Sequence, residues 1–142
     1  MSYSFYVNNE YEFVLIRPWG EFTEDEFIDV SRAFYNHPTR EPDFAHIWDT
    51  QSIDRLVMDA NVIDMYRAFL AENSDRSSSD RVAIIATRTM VETLSRMLAE
   101  LNRQQTNQEI SFFNDLASAA SWLGLPLEVL TDIPASAWMT SE

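Results

Sequence analysis

Polar side chains stand where two strand-like apolar runs of the sequence end, at residues 44–50 and 81–87. The carboxyl ends of parallel strands meet at one edge of a sheet, and open α/β sheets bind ligands there. A guanidinium beside a helix N-terminus also suits an anion. Thr89 and Asp49 can also be explained without a ligand, Thr89 as a helix cap and Asp49 as the anchor of a loop. The sequence thus predicts a ligand- or partner-binding edge made of Asp49, Thr50, Ser52, Thr87, Arg88 and Thr89.

The two histidines give little indication of a catalytic or metal-binding site. His37 precedes Pro38 at the end of a predicted helix, and His46 lies within a predicted strand. Nucleophilic catalysis needs a hydroxyl, a histidine and an orienting acid in a set arrangement, and no motif here supports one. With Glu41 and Asp43 the histidines form a loose group of metal-ligand types, but without a recognised metal-binding spacing. We therefore expect no catalytic residue, no metal site, no cofactor and no enzymatic activity.

The composition excludes several classes of site. The chain of 142 residues contains no cysteine, which excludes disulfides, thiolate nucleophiles and cysteine-ligated metals. It contains two glycines, too few for a dinucleotide fingerprint or a P-loop. A length of this order corresponds to one domain.

The charge argues against polyanionic partners. The formal net charge is −13, and every basic residue is an arginine. Such a surface repels the phosphates of nucleic acids and anionic membranes. No signal sequence opens the chain, and no apolar run reaches the length of a transmembrane span. We therefore expect a cytoplasmic protein without nucleic-acid binding or membrane insertion.

Strands and helices alternate along the sequence. Two strand-like runs flank Asn8 and Asn9, typical of a hairpin turn. Capping boxes then predict helix starts at Thr23–Glu26 and at Thr89–Glu92. The order β-β-α-β-α-β-α-β-α predicts a single α/β domain: a mixed, mostly parallel five-stranded sheet with an N-terminal hairpin and about four packing helices.

The segment SFFNDLASAASWLG predicts a final strand and a short helix. Asn114 or Asp115 caps this helix, and Gly124 suits the left-handed position that ends it. Trp122 lies beside the inward stripe and is predicted to pack over its edge. We place the domain at residues 1–124 and a tail at 125–142, which wraps the domain, reaches a second subunit or is frayed. A serine-rich loop is predicted at residues 73–80.

The helix predicted after the central strand has an unusually wide apolar stripe. Met58, Val62, Met65 and Phe69 recur at helical spacing, with Tyr66 beside them. Core packing accounts for such a stripe. The alternative is a face that contacts a homodimer or another protein, because methionine and aromatic side chains suit adaptable contacts.

Three stretches together resemble the anti-sigma-factor antagonist (STAS) superfamily, in its divergent, uncharacterised bacterial STAS-like branch. FAHIWDT looks like the central strand, RVAIIATRTMVETLSRMLAELN like the following strand–helix pair, and FFNDLASAASWLG like the closing signature. The resemblance covers residues 3–124. It implies a mixed sheet with packed helices and a regulatory or protein-interaction role without catalysis.

One feature of the superfamily is missing. Classical members carry a phosphorylatable serine at the start of the helix after the central strand, whereas Leu56, Val57, Met58 and Asp59 occupy that region here. The fold is also similar to CRAL-TRIO lipid-binding domains. We therefore expect a non-enzymatic regulatory or interaction domain that contacts a protein partner or a second copy of itself. The alternative is a binding module for a small apolar or anionic ligand.

Overall fold

The computed structural model describes residues 2–73 and 81–140, apart from the Met90 side chain, so most of the predicted serine-rich loop lies outside the described residues. The strands in this part of the chain are β1 (Tyr3–Asn8), β2 (Phe13–Thr23), β3 (Ala45–Asp49), β4 (Ser52–Val57), β5 (Arg81–Ile85), β6 (Glu109–Phe113) and β7 (Met139–Thr140). The helices are α1 (Glu24–Tyr35), α2 (Asn61–Glu72), α3 (Thr89–Gln105), α4 (Leu116–Leu123) and α5 (Glu128–Thr131), followed by a 3-10 turn at Ala135–Ala137.

The strands form one mixed sheet in the order β6-β5-β3-β2-β1-β7, with β4 paired to β2. The pairs β2–β3, β2–β4, β3–β5 and β5–β6 are parallel, and β1 is antiparallel to β2 and β7. The predicted α/β class, the hairpin and the mostly parallel sheet are confirmed. The predicted count of five strands is wrong, because the sheet has seven in the described part of the chain. The two additional strands are hard to recognise in the sequence, since β4 follows β3 after only two residues and β7 is only two residues long.

The long strand β2 pairs with both β3 and β4, and its pairing with β4 contains a register shift. Its first residues pair with β3, and residues from Trp19 onward pair with β4. The shift falls between Gly20 and Glu21, where Gly20 has a φ of +63°, which glycine adopts without the steric cost of a Cβ. One long strand thereby positions two consecutive short ones.

Local capping explains where two helices begin. The Glu26 backbone N–H donates to Thr23 Oγ1 at 3.2 Å, and the Thr23 N–H donates to Glu26 Oε1 at 3.2 Å, so the first predicted capping box is confirmed. At α4, the Ser118 N–H donates to Asp115 Oδ1 at 2.7 Å, and Gly124 ends the helix with a φ of +72°, also as predicted.

The capping box predicted at Thr89–Glu92 is wrong. Thr89 is the first residue of α3 instead of its cap, and the capping position belongs to Arg88, without a side-chain cap hydrogen bond. The Glu92 carboxylate accepts two hydrogen bonds from Arg96, at 3.2 and 2.8 Å. Glu92 therefore pairs one turn along the helix instead of closing a capping box, and the helix begins one residue earlier than a cap at Thr89 predicts.

The sheet separates two apolar clusters. The three-helix face, covered by α1, α2 and α3, receives Val14, Ile16, Val82 and Ile84. The tail face receives Leu15, Ile47, Ala83 and Ile85 and is covered by α4 and by residues 125–140. The alternation of neighbouring strand residues between the clusters follows from the two-residue period of a strand.

The tail packs onto the domain. Leu130 is buried in the cluster of the tail face, and β7 pairs with β1 through Met139, opposite Phe5. Trp122 packs at the edge of this cluster, 5.4 Å from the ring of Phe113, as the sequence predicts.

Candidate ligand-binding site

The strand ends predicted to bind a ligand are joined by hydrogen bonds between their own residues. Thr50 follows β3 and is buried; its N–H and its Oγ1 donate to the carbonyl of Ile85, at 3.1 and 2.6 Å. The Asp49 carboxylate is also buried, with its side chain 8% exposed. It lies 3.3 Å from Arg17 Nε and accepts hydrogen bonds from the Gln51 backbone and side chain. These contacts hold the strand ends together.

Arg88 is turned toward β4. Its Nη1 donates to the backbone oxygen of Asp54 at 3.0 Å, and its Nη2 lies 3.8 Å from the Asp54 carboxylate. Ser52, Thr87 and Thr89 are exposed. The structure therefore brings Asp49, Thr50 and the end of β5 together, and holds Arg88 against β4.

A cavity of about 90 Å³, partly open to solvent, lies between the three-helix face of the sheet and the helices that cover it. Side chains from β2, β3, β4, β5 and β6 form its floor, and α1, α2 and α3 form its roof. Its aromatic lining consists of Phe22, Phe27, Phe34, Tyr35, Trp48, Tyr66 and Phe69. No Asp, Glu or Arg side chain belongs to the lining in the described part of the chain.

Aromatic contacts hold the wall of the cavity in place. Phe27 of α1 lies 5.5 Å from the ring of Trp48 and 5.1 Å from that of Tyr66. Phe34 lies 5.9 Å from Trp48, nearly perpendicular to it. Such tilted and edge-to-face arrangements stabilise aromatic pairs beyond their buried area. Trp48 stays partly exposed although β3 lies inside the sheet, because the helices do not cover it completely.

Several polar side chains line the cavity and are engaged with the protein. Ser31 Oγ donates to the Phe27 carbonyl at 2.8 Å. Asn102 Nδ2 donates to the Tyr66 hydroxyl at 2.8 Å, and Thr106 Oγ1 donates to Asn102 Oδ1 at 2.7 Å. These hydrogen bonds offset the cost of placing polar groups beside apolar ones.

His46 lines the cavity and is buried. Arg40 Nη2 lies 3.2 Å from His46 Nε2, which must accept because a guanidinium only donates. Burial, and then the charge of Arg40, hold the pKa of His46 well below its ordinary value. Arg40 also stacks over Tyr35 at 4.3 Å. The imidazole is therefore neutral at neutral pH.

The sequence did not reveal the cavity. Each lining residue belongs to a stripe that core packing explains, and the space arises only when many elements meet. The wide stripe with Met65 and Tyr66 was the one available signal. Among residues 2–73 and 81–140 no group of three or more histidine and acidic side chains is placed to hold a metal. In the same ranges no helix combines the length and apolar character that crossing a bilayer requires.

No protein-family model matches the sequence, and a search of the curated proteins found no match. Among solved structures, the fold is similar to the crystal structure of an uncharacterized DUF3478-family protein with a SpoIIAA-like fold from Shewanella loihica PV-4. The TM-score is 0.52 at 18% identity, over 78% of this chain and 83% of that one. The chain therefore has a SpoIIAA-like fold, as its resemblance to the STAS superfamily implies.

Proposed function

We propose that this SpoIIAA-like domain binds a small apolar ligand in the cavity between the sheet and the helices α1, α2 and α3, and that it catalyses no reaction. The observation that carries the proposal is the cavity itself: an apolar, aromatic-lined space of about 90 Å³ that is partly open to solvent and has the partly exposed Trp48 in its lining. Ligand sites are typically concave and apolar with a few polar groups. The polar groups here are hydroxyl, amide and imidazole side chains.

The volume of the cavity limits the size of the ligand. Engineered apolar cavities of about 150 Å³ bind benzene. A cavity of about 90 Å³ is smaller, so it suits a short aliphatic chain or one end of a longer ligand whose remainder lies in the mouth. Each buried methylene contributes about 0.8 kcal/mol to binding.

The hydrogen bonds of two cavity hydroxyls, those of Ser31 and Thr50, support a binding role without catalysis. A nucleophilic hydroxyl is activated by an adjacent base. Ser31 and Thr50 instead donate to backbone carbonyls, and His46 accepts from Arg40.

Docking of a protein partner or a second copy, the role that the resemblance implies, stays a prediction. The large apolar side chains that are exposed in residues 2–73 and 81–140 belong to different segments. They are Tyr11, Trp19, Val57, Met97, Leu127 and Met139. No one helix carries more than one of them, so the cavity has the stronger support.

The test is an NMR titration of the full chain with hexanol, a short-chain probe. We expect the Trp48 indole N–H resonance to shift saturably while that of Trp19, which is exposed and outside the lining, does not. Ala99→Leu places a larger side chain from α3 into the cavity and should weaken binding at least ~10-fold, by loss of buried apolar contact. Ala68→Leu, the same change at an exposed position of α2, is the control.

The proposal fails if hexanol produces no saturable shift of Trp48 in the wild-type protein. It also fails if Ala99→Leu and Ala68→Leu bind hexanol as the wild type does.

A further inference from the structure

We infer that the cavity selects an uncharged ligand that donates a hydrogen bond, such as an alcohol, and rejects the carboxylate and the ammonium of the same chain. The inference rests on the proposed function and specifies its ligand class. Three features of the wall carry it: its lack of charged side chains, the place of Arg40 behind the wall, and the hydrogen bonds of two hydroxyls.

The first feature concerns anions. The described lining contains no arginine side chain, so a carboxylate in the cavity loses its hydration without gaining an ion pair. Burying an unpaired charge is costly, and the described lining offers no ion pair that would offset this cost.

The second feature concerns both signs of charge. Arg40 lies one layer behind the wall, 3.2 Å from His46 and 4.3 Å from the ring centre of Tyr35, and both of those side chains line the cavity. Its charge opposes an ammonium in the cavity. The two rings lie between its guanidinium and the cavity, so a carboxylate there gains no direct hydrogen bond from it.

The third feature is the direction of two hydroxyl protons. Ser31 Oγ donates to the Phe27 carbonyl, and Thr50 Oγ1 donates to the Ile85 carbonyl. Both hydroxyls line the cavity, and a hydroxyl that has committed its proton retains only acceptor capacity. A ligand O–H or N–H matches these oxygens. A carboxylate, which only accepts, does not.

The experiment compares four probes of similar length on the intact chain: hexanol, hexanoate, hexylammonium and methyl pentyl ether. The readout is the dissociation constant from the Trp48 indole shift at neutral pH. We expect hexanol to bind about 100-fold more tightly than either ion, from the cost of burying charge. It should bind about 2- to 10-fold more tightly than the ether, from one net hydrogen bond.

A variant separates the hydroxyl from the rest of the wall. Ser31→Ala removes one acceptor oxygen, and the backbone of α1 retains its own hydrogen bonds. We expect it to reduce the preference for hexanol over the ether and to leave the affinity for the ether unchanged. Ser118→Ala, on α4 and exposed, is the control and should leave both affinities unchanged.

The outcomes separate the two proposals. If no probe shifts Trp48, apolar ligand binding itself is refuted. If hexanoate or hexylammonium binds as tightly as hexanol, ligand binding stands and the selection against charge is wrong. If the ether equals hexanol in the wild type, or Ser31→Ala leaves their ratio unchanged, the selection for a donor at Ser31 is wrong.

Discussion

The two faces of the sheet pack differently although the same strands form both. On the tail face, small side chains let α4 approach closely: Ala83, Ala119 and Ala120 are each at most 2% exposed. On the three-helix face, large aromatic side chains lean on one another and leave space between the helices and the sheet. Interior density depends on large and small residues alternating across a contact. The same strands thus support a close helix contact on one face and border a cavity on the other.

Truncating the same side chain on each face should have the largest effect on stability. Ile84 and Ile85 are neighbours on β5, and Ile84 lines the cavity whereas Ile85 is fully buried on the tail face. We expect Ile85→Ala to lower the free energy of unfolding by about 4 kcal/mol and Ile84→Ala by about 2 kcal/mol. Side chains beside an existing space have fewer contacts to lose. Denaturant titrations measure both values, and equal losses would contradict the difference between the faces.

Enlarging a buried alanine on each face tests the same difference between the faces in the opposite direction. Ala83→Leu overpacks the tail face and should lower the free energy of unfolding by about 1–3 kcal/mol. Ala99→Leu extends into the cavity and should leave that free energy unchanged or raise it by up to about 1 kcal/mol. Both alanines are at most 3% exposed, so burial alone predicts the same result for the two changes. Thermal and denaturant unfolding of the two variants decide between these expectations.

The pH dependence of stability should belong to the three-helix face, because His46 lies there. Its pKa is lowered in the folded protein, so below the ordinary value of 6.5 the unfolded chain binds a proton that the native chain does not. The free energy of unfolding should therefore fall as the pH drops below 6.5, by up to about 1.4 kcal/mol per pH unit. His46→Gln should reduce this slope.

The matched control is His37→Gln. The pKa of His37 is also lowered, through partial burial, but its ring lies in part at the surface, beside Thr39. This variant should keep most of the acid sensitivity. A slope that survives His46→Gln and disappears in His37→Gln would reverse the assignment.

The smallest effect is expected at the strand ends that border both faces. Arg88 and Asp54 have side chains that are 54% and 78% exposed, and exposed ion pairs contribute little. Arg88→Ala should change the free energy of unfolding by no more than about 0.5 kcal/mol and leave hexanol binding unaltered. Calorimetry with inorganic phosphate on the wild type and on this variant tests the anion site predicted from the sequence. Binding that disappears with Arg88 would support that site.

Local signals made much of the fold predictable. The capping box at Thr23 and the glycine at 124 act within one turn of chain, so the sequence alone reveals them. The box predicted at Thr89 is wrong: Glu92 pairs with Arg96, one turn further along, and not with the start of the helix. The strand β4 was missed because only Ile53 is deeply buried in it, which leaves no clear alternation to recognise.

The candidate site was less accessible to sequence reasoning. Asp49 and Thr50 lie at the predicted sheet edge, but their hydrogen-bond partners, Arg17 and Ile85, come from distant parts of the chain. The cavity depends on how the volumes of side chains from several helices and strands add up. No single stretch records that sum, and the aromatic residues that surround the cavity look like ordinary core residues when read one by one.

The pairing of β2 with three other strands should determine how this strand exchanges its amide protons with solvent. It pairs with β1, β3 and β4, and Phe13, Val14, Leu15 and Ile16 have no exposed surface. Local fluctuations that release β7 or a helix leave these pairings intact. The backbone amides of this stretch should therefore exchange with solvent deuterium only when the whole domain unfolds, whereas those of β7 exchange through local opening. The slowest-exchanging amides of β2 would then report the global free energy of unfolding directly, without denaturant.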